Sequence, residues 1–132
     1  MAAVLRGLEG KHVLITGAAK GQGHSHALAF ADAGADIAAL DITDPIPDIY
    51  PLATGAMLED TVAAVEKTGR RCLPLACDIR DENQVEASVA KALDFFDGRI
   101  DVLVNNAGVA ALDTIHGMRS HVMDAVIGAS PP

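Results

Sequence analysis

The sequence predicts an α/β fold, a doubly wound parallel sheet of four strands in the order 3-2-1-4 with helices on both faces. Three observations carry that expectation. Apolar runs of strand length alternate with helical patterns as β-α-β-α-β-α-β-α along the 132 residues. The stretch Thr16-Gly17-Ala18-Ala19-Lys20-Gly21-Gln22-Gly23 follows the first apolar run and leads straight into the first helical pattern. Each strand also ends beside a residue suited to a site at the carboxyl edge of a parallel sheet, namely Gly17, Asp41, Asp78 and Asn105.

Val13 to Thr16 is the first strand. Glycine at three positions of the turn after it has three separable uses: a bend with φ > 0, an unobstructed approach for a bulky anion, and close packing of helix on strand. The anion would rest on the helix N-terminus, where unpaired N–H groups and the positive end of the dipole favour a pyrophosphate. The spacing G-x-x-x-G-x-G is neither the G-x-G-x-x-G fingerprint nor a P-loop, so by itself it also reads as a glycine-rich connection in an alanine-rich protein. Gln22 to Ala33 then sets Ala27, Phe30 and Ala31 on one helical face, and Gly34 closes the helix as its C′ residue. Ala35 to Asp41 is the second strand. It ends on a carboxylate 18 residues beyond Gly23, about the separation at which a dinucleotide site holds the adenosine ribose hydroxyls.

Ile42 to Leu52 carries Pro45, Pro47 and Pro51 around the only tyrosine, Tyr50, and is a loop. Leu58, Val62 and Val65 fall at helical spacing with Gly69 as the stop, and Arg71 to Cys77 is the third strand. Pro74 removes a ladder donor there, which suits the outermost place in a 3-2-1-4 order. Asp81 is a suitable N-cap for the helix marked by Val85, Val89, Leu93 and Phe96, which Gly98 ends. Ile100 to Val104 is the fourth strand, finishing in Asn105-Asn106-Ala107-Gly108. Met118, Val122, Ala125 and Val126 begin a last amphipathic pattern that stops at Gly128-Ala129-Ser130-Pro131-Pro132.

Composition narrows the function. Half the residues are hydrophobic, enough for one domain with a real core over residues 1–132, and the net charge of -8 carries no Lys/Arg cluster. Nucleic acid and anionic membrane would both be repelled. The N-terminus does not resemble a signal peptide and no apolar run reaches a membrane span, so a cytoplasmic location is expected. Cys72 and Cys77 match no common zinc spacing and read as reduced thiols on or beside a buried strand. His24, His26, His116 and His121 are joined by no carboxylate or cysteine at ligand spacing, so no metal is expected.

With Thr16-Gly17-x-x-x-Gly21-x-Gly23, Asp41, Asp78 and Asn105-Asn106-Ala107-Gly108 in this order, the sequence resembles the short-chain dehydrogenase/reductase family over essentially its whole length. The resemblance implies a Rossmann fold, NAD(H) or NADP(H) as partner, and interconversion of a secondary alcohol and a ketone by hydride transfer. Gly17, Lys20, Gly21, Gln22 and Gly23 would form the pyrophosphate turn, where Gln22 replaces a usually apolar residue. Asp41 would hold the adenosine ribose, and its charge, with Asp44 near and no arginine at Ile42 or Thr43, favours NAD over NADP. Asp78, with the backbone of Ile79 beside it, looks like the family's adenine-contacting aspartate; the alternative is a cap before the helix, for which Asp81 is better placed. Asn105, Asn106, Ala107 and Gly108 would shape the floor under the cofactor ribose. The proline-rich insertion with Gly21-Gln22-Gly23 is similar to the actinobacterial subgroup allied to carveol dehydrogenase and coupled to the redox peptide mycofactocin.

The family's chemistry belongs to a serine, a Tyr-x-x-x-Lys motif and a later asparagine, and none of these is present. Tyr50 is followed four residues on by Thr54 instead of lysine. No catalytic residue is therefore assigned, and the resemblance implies the N-terminal half of a family member. Two readings stay open: the NAD-binding portion of a dehydrogenase, or a non-catalytic dinucleotide-binding remnant.

Overall fold

The computed structural model describes residues 6–109 and 117–129. Four parallel strands, β1 (His12–Thr16), β2 (Asp36–Asp41), β3 (Cys72–Ala76) and β4 (Val102–Val104), form one sheet in the order β3-β2-β1-β4. Between them run α1 (Gly21–Asp32), α2 (Gly55–Glu66) and α3 (Glu82–Phe95), and α4 (Ser120–Ala129) follows the last strand. The expected element order, parallel pairing and strand order are all present. β3 is outermost, with the exposed Pro74 opposite Ala39.

The pleat sorts the apolar side chains into two cores. Val13, Ile15, Ile37 and Ala39 face one way and pack with Ala27, Ala31, Leu58 and Val65 of α1 and α2. Leu14, Ala38 and Leu40 face the other way, against Leu75 and, from α3 and its end, Ala92 and Phe96. β2 is buried along its whole length, because its neighbours β1 and β3 flank it and helices cover both faces. On the face that packs with α1, Ala39 meets the equally small Ala27 and Ala31 of the helix.

The boundaries of β1, β2, β3 and α1 fall within one residue of those read in the sequence, and two further differences have a visible cause. β4 begins at Val102 instead of Ile100, because Asp101 is engaged with β1: His12 N–H donates to its carboxylate at 2.8 Å and its own N–H donates to the His12 carbonyl at 2.9 Å. α4 runs through Gly128 to Ala129 instead of stopping at the glycine. A Cβ on Gly128 would stand 2.9 Å from Cγ of Arg80, so the glycine is an approach point for that side chain and not a terminator. Among the described residues no helix is long and apolar enough to cross a membrane.

The cysteines lie where the reading put them. Cys72 opens β3, Cys77 follows it, and both are buried and unpaired. Burial, with Glu66 nearby, pushes the Cys72 thiol up to about 12, and burial also raises Cys77, so neither is a thiolate at neutral pH.

Candidate functional site

A cleft of about 220 Å³ opens at the carboxyl edge of the sheet, where β1, β2, β3 and β4 all end. Its floor is the glycine turn. Gly17 has φ of +68° and Gly21 φ of +60°, both in the left-handed region that glycine enters without strain. Their surroundings differ. A Cβ on Gly17 would lie 2.8 Å from the Asn106 amide nitrogen, whereas one on Gly21 would meet nothing within 4 Å, so only Gly21 leaves open approach. Gly23 is buried inside α1, and a Cβ there would stand 1.9 Å from the Gly17 carbonyl oxygen. The three separable glycine uses expected from the sequence are thus divided among the three positions.

The N-terminus of α1 faces this cleft without an internal partner. Its N-cap, Lys20, provides no side-chain cap, whereas Thr54 caps α2 and Asp81 caps α3 by accepting from the N–H groups of Asn83 and Gln84. Orphan N–H groups on a helix of 12 residues, beside an open glycine, fit an anion. The Lys20 ammonium instead donates to the Pro51 carbonyl at 2.9 Å and lies 5.8 Å above the Tyr50 ring, which pins the proline loop beside the turn.

Side chains lock the turn to its neighbours. The Thr16 hydroxyl accepts from the N–H groups of Asn106 and Ala107, each at 3.0 Å, and the Asn106 amide donates to the Gly17 carbonyl at 3.2 Å. From α2, the buried Thr61 hydroxyl donates to the Ala18 carbonyl at 2.9 Å and pairs with His24 Nδ1 at 2.7 Å. Asp41 closes the far side: its carboxylate accepts from Ala19 N–H at 2.9 Å and from Ile42 N–H at 2.8 Å. Burial pushes the Asp41 carboxyl up, against the opposing pull of those two N–H groups and the Lys20 charge. Each carboxylate oxygen keeps a lone pair beyond the backbone bond it accepts.

A family model described as short chain dehydrogenase matches residues 11–130. The chain belongs to the short-chain dehydrogenase family. It is 42% identical over 125 residues to an uncharacterised NAD-dependent oxidoreductase of Mycobacterium tuberculosis, a match covering 93% of this chain and 45% of that protein. It is 42% identical over 106 residues to (-)-trans-carveol dehydrogenase of Rhodococcus erythropolis, covering 80% of this chain and 38% of that one. The solved structure of carveol dehydrogenase from Mycobacterium avium in complex with NAD superposes with a TM-score of 0.84 at 38% identity, covering 91% of this chain and 44% of that one. The chain therefore spans less than half the length of these relatives.

Within this short-chain dehydrogenase chain the expected site residues separate into groups. Gly17, Lys20, Gly21, Asp41, Asp78, Ile79, Ala107 and Gly108 line the cleft. Gln22 and Asn105 are exposed and do not line it, while Gly23 acts from beneath by packing. The amide that ties the turn is that of Asn106, not Asn105. His116 lies outside the described residues.

Sequence reading missed two of the groups that shape the site. Thr61 occupies a place in the Leu58, Thr61, Val65 stripe and so passes for an ordinary core position; its hydroxyl is needed because the Ala18 carbonyl would otherwise be buried without a donor. The sequence reading considers an arginine only at Ile42 and Thr43, next to Asp41 in the chain, whereas the fold brings Arg80 from beyond the end of β3 into the same cleft. Its guanidinium grips Asp78, with Nε at 3.0 and 3.1 Å from the two oxygens and Nη2 at 2.6 Å from Oδ2. Hydrogen bonding to Arg80 holds the Asp78 carboxyl below the usual carboxylate range.

Proposed function

We propose that this chain binds NAD in the cleft, with the pyrophosphate on the N-terminus of α1 and the adenosine ribose on Asp41. One observation carries the reading: the uncapped start of α1, the open face of Gly21 and the Asp41 carboxylate fixed to Ala19 N–H belong to one short turn. They present donors for an anion and, beside them, acceptors for a diol. NAD supplies the hydride acceptor when bound. The protein's own residues hold it: α1 N–H groups the phosphates, Asp41 the ribose, Ile79 and Asp78 the adenine end, and Ala107 and Gly108 the wall beside β4. The NAD-bound relative at 38% identity supports NAD as the ligand.

The whole protein's reaction is interconversion of a secondary alcohol and a ketone, with residues 1–132 supplying the cofactor-binding region. Proton transfer to or from the substrate oxygen needs a positioned acid–base group, commonly contributing about 10²–10⁴-fold. Tyr50 does not fit that role, since it is half exposed in the proline loop and the residue four further on is Thr54, the α2 cap. Residues 1–132 are therefore expected to bind NAD without oxidising secondary alcohols. Calorimetric titration with NAD tests binding, and the absorbance of reduced nicotinamide with a panel of secondary alcohols tests turnover. Turnover by protein free of host dehydrogenases would overturn the assignment of no catalytic residue, and failure to bind NAD would overturn the reading as a whole.

Self-association is the expected solution behaviour. β4 is a sheet edge whose Leu103 is 55% exposed, and Met123 and Ile127 of α4 are also open to solvent. Light scattering that returned a monodisperse monomer would contradict this.

A further inference from the structure

A second cavity of about 150 Å³ adjoins the cleft, sharing Ile42, Cys77, Asp78 and Arg80 with it and adding Thr43, Asp44 and Gln84. It is lined by Ile42 and Thr43, the two residues after Asp41, so on the reading of Asp41 as the ribose partner it adjoins the ribose. Room is present and so is a cation. Yet the arginine is spoken for: two of its nitrogens make three contacts to the Asp78 carboxylate, and Arg80 N–H donates to the same Oδ1 at 3.0 Å. The stem is confined as well, with Gly128 of α4 packed against Cγ and Cδ. Counting ionised groups around the cavity gives Arg80 against Asp44 and Asp78, a net negative lining before Asp41 is added.

We propose that this cavity is a latent 2′-phosphate subsite, closed to NADP because Asp78 holds the guanidinium that would otherwise grip the phosphate. Discrimination between the two dinucleotides then has two sources in the fold. Asp41 competes for the ribose hydroxyl directly, and Asp78 withholds Arg80 from the phosphate. Guanidinium is suited to both partners because its planar fork matches carboxylate and phosphate alike. The pair also explains why an arginine in the cleft does not by itself make the site one for NADP. The inference rests on the reading of the cleft as a dinucleotide site.

The test is titration of the chain with NAD and with NADP, in wild type and in Asp78→Asn, Asp44→Asn and Asp78→Asn/Arg80→Gln. Asparagine keeps the Oδ1 acceptor for Arg80 N–H while removing the charge. The quantity read is the ratio of NADP to NAD affinity, in which any loss of adenine contact at Asp78 cancels. Asp78→Asn is expected to raise that ratio about tenfold, as a guanidinium freed to pair with a phosphate implies. Asp44→Asn, at an exposed position, is expected to raise it by about two- to threefold through weaker, screened repulsion. The double variant is expected to lose the gain. An unchanged ratio in Asp78→Asn with NAD still bound would overturn the proposal, as would a gain that survives loss of Arg80. If Asp78→Asn does not fold, an unchanged ratio in Asp44→Asn overturns it alone. Absence of NAD binding in the wild type would overturn the dinucleotide reading itself, and the subsite with it.

Discussion

β2 carries a buried aspartate at each end, and the fold treats the two in opposite ways. At the amino end, Asp36 is 5% exposed and meets two arginines: Arg70 at 3.0 Å and Arg71 at 3.1 Å, with Arg71 N–H donating at 3.0 Å. At the carboxyl end, Asp41 is 9% exposed and is held only by backbone N–H groups at 2.9 and 2.8 Å. Burial raises both carboxyls, but at Asp36 the Arg71 hydrogen bonds and the two arginine charges outweigh it, leaving that group below the usual range. Asp41 stays above it. The difference separates a carboxylate neutralised by built-in cations from one that, under the proposed function, is completed by a ribose.

The largest effect expected from that contrast is on stability. Asp36→Ala removes the partner of Arg70 and Arg71 and the acceptor for Arg71 N–H, all at the seam where β3 joins β2. A loss of about 2–3 kcal/mol is expected, less than for a fully buried pair because both arginines reach solvent. Urea denaturation reads it. A loss under half that size would show that the amino-end carboxylate is as dispensable to the fold as the other, and the comparison would fail.

Asp41→Ala should instead cost function. Two N–H groups lose their acceptor, but a buried charge disappears with it, so the change in stability is expected to be smaller than that of Asp36→Ala. NAD affinity is expected to fall about ten- to a hundredfold, the worth of hydrogen bonds to a charged acceptor. The preference for NAD over NADP should shrink in the same variant, because the carboxylate facing the 2′ position is gone. Calorimetric titration with both dinucleotides reads both numbers, and unchanged NAD affinity would remove Asp41 from the site.

How far these features were legible in the sequence follows the range of the interaction. Element order and strand order came through because alternation of apolar runs and the glycine turn are local signals. The place of Asp41, at a strand end and on the cleft, was legible for the same reason. Asp36 gave no signal, since its partners Arg70 and Arg71 lie 34 and 35 residues away and only the register of Ile37 with Cys72 brings them together. Arg80 was equally silent. Its position is set by parallel pairing of β3 with β2, and its pairing with Asp78 by a turn geometry that composition does not reveal. The sequence does not separate Asn105 from Asn106, because adjacent residues at a strand end point to opposite sides and one residue of phase decides which reaches Gly17.

The smallest effect expected is one of pH, and it tests whether the two aspartates are as different as their surroundings. For Asp36 the folded-state pKa lies below the ordinary 3.8, so its contribution to stability is present above that pH and is lost only as pH falls through the lower, folded value. For Asp41 the folded-state pKa lies above 3.8, so ionisation in the folded chain is disfavoured, and its protonation on acidification relieves strain on the fold instead of adding to it. A ribose hydroxyl bond to Asp41 is strongest with the carboxylate ionised. NAD affinity should therefore decline as pH falls through the raised Asp41 value, in a window above 3.8 where Asp36 is still ionised and the sheet still holds. Titrations and far-UV circular dichroism across the same pH series would separate the two transitions. Asp41→Asn should abolish the first and leave the second. If affinity and ellipticity instead fall together, below the ordinary carboxylate range, then the carboxyl end of β2 is held as firmly as the amino end, and Asp41 is a structural group like Asp36.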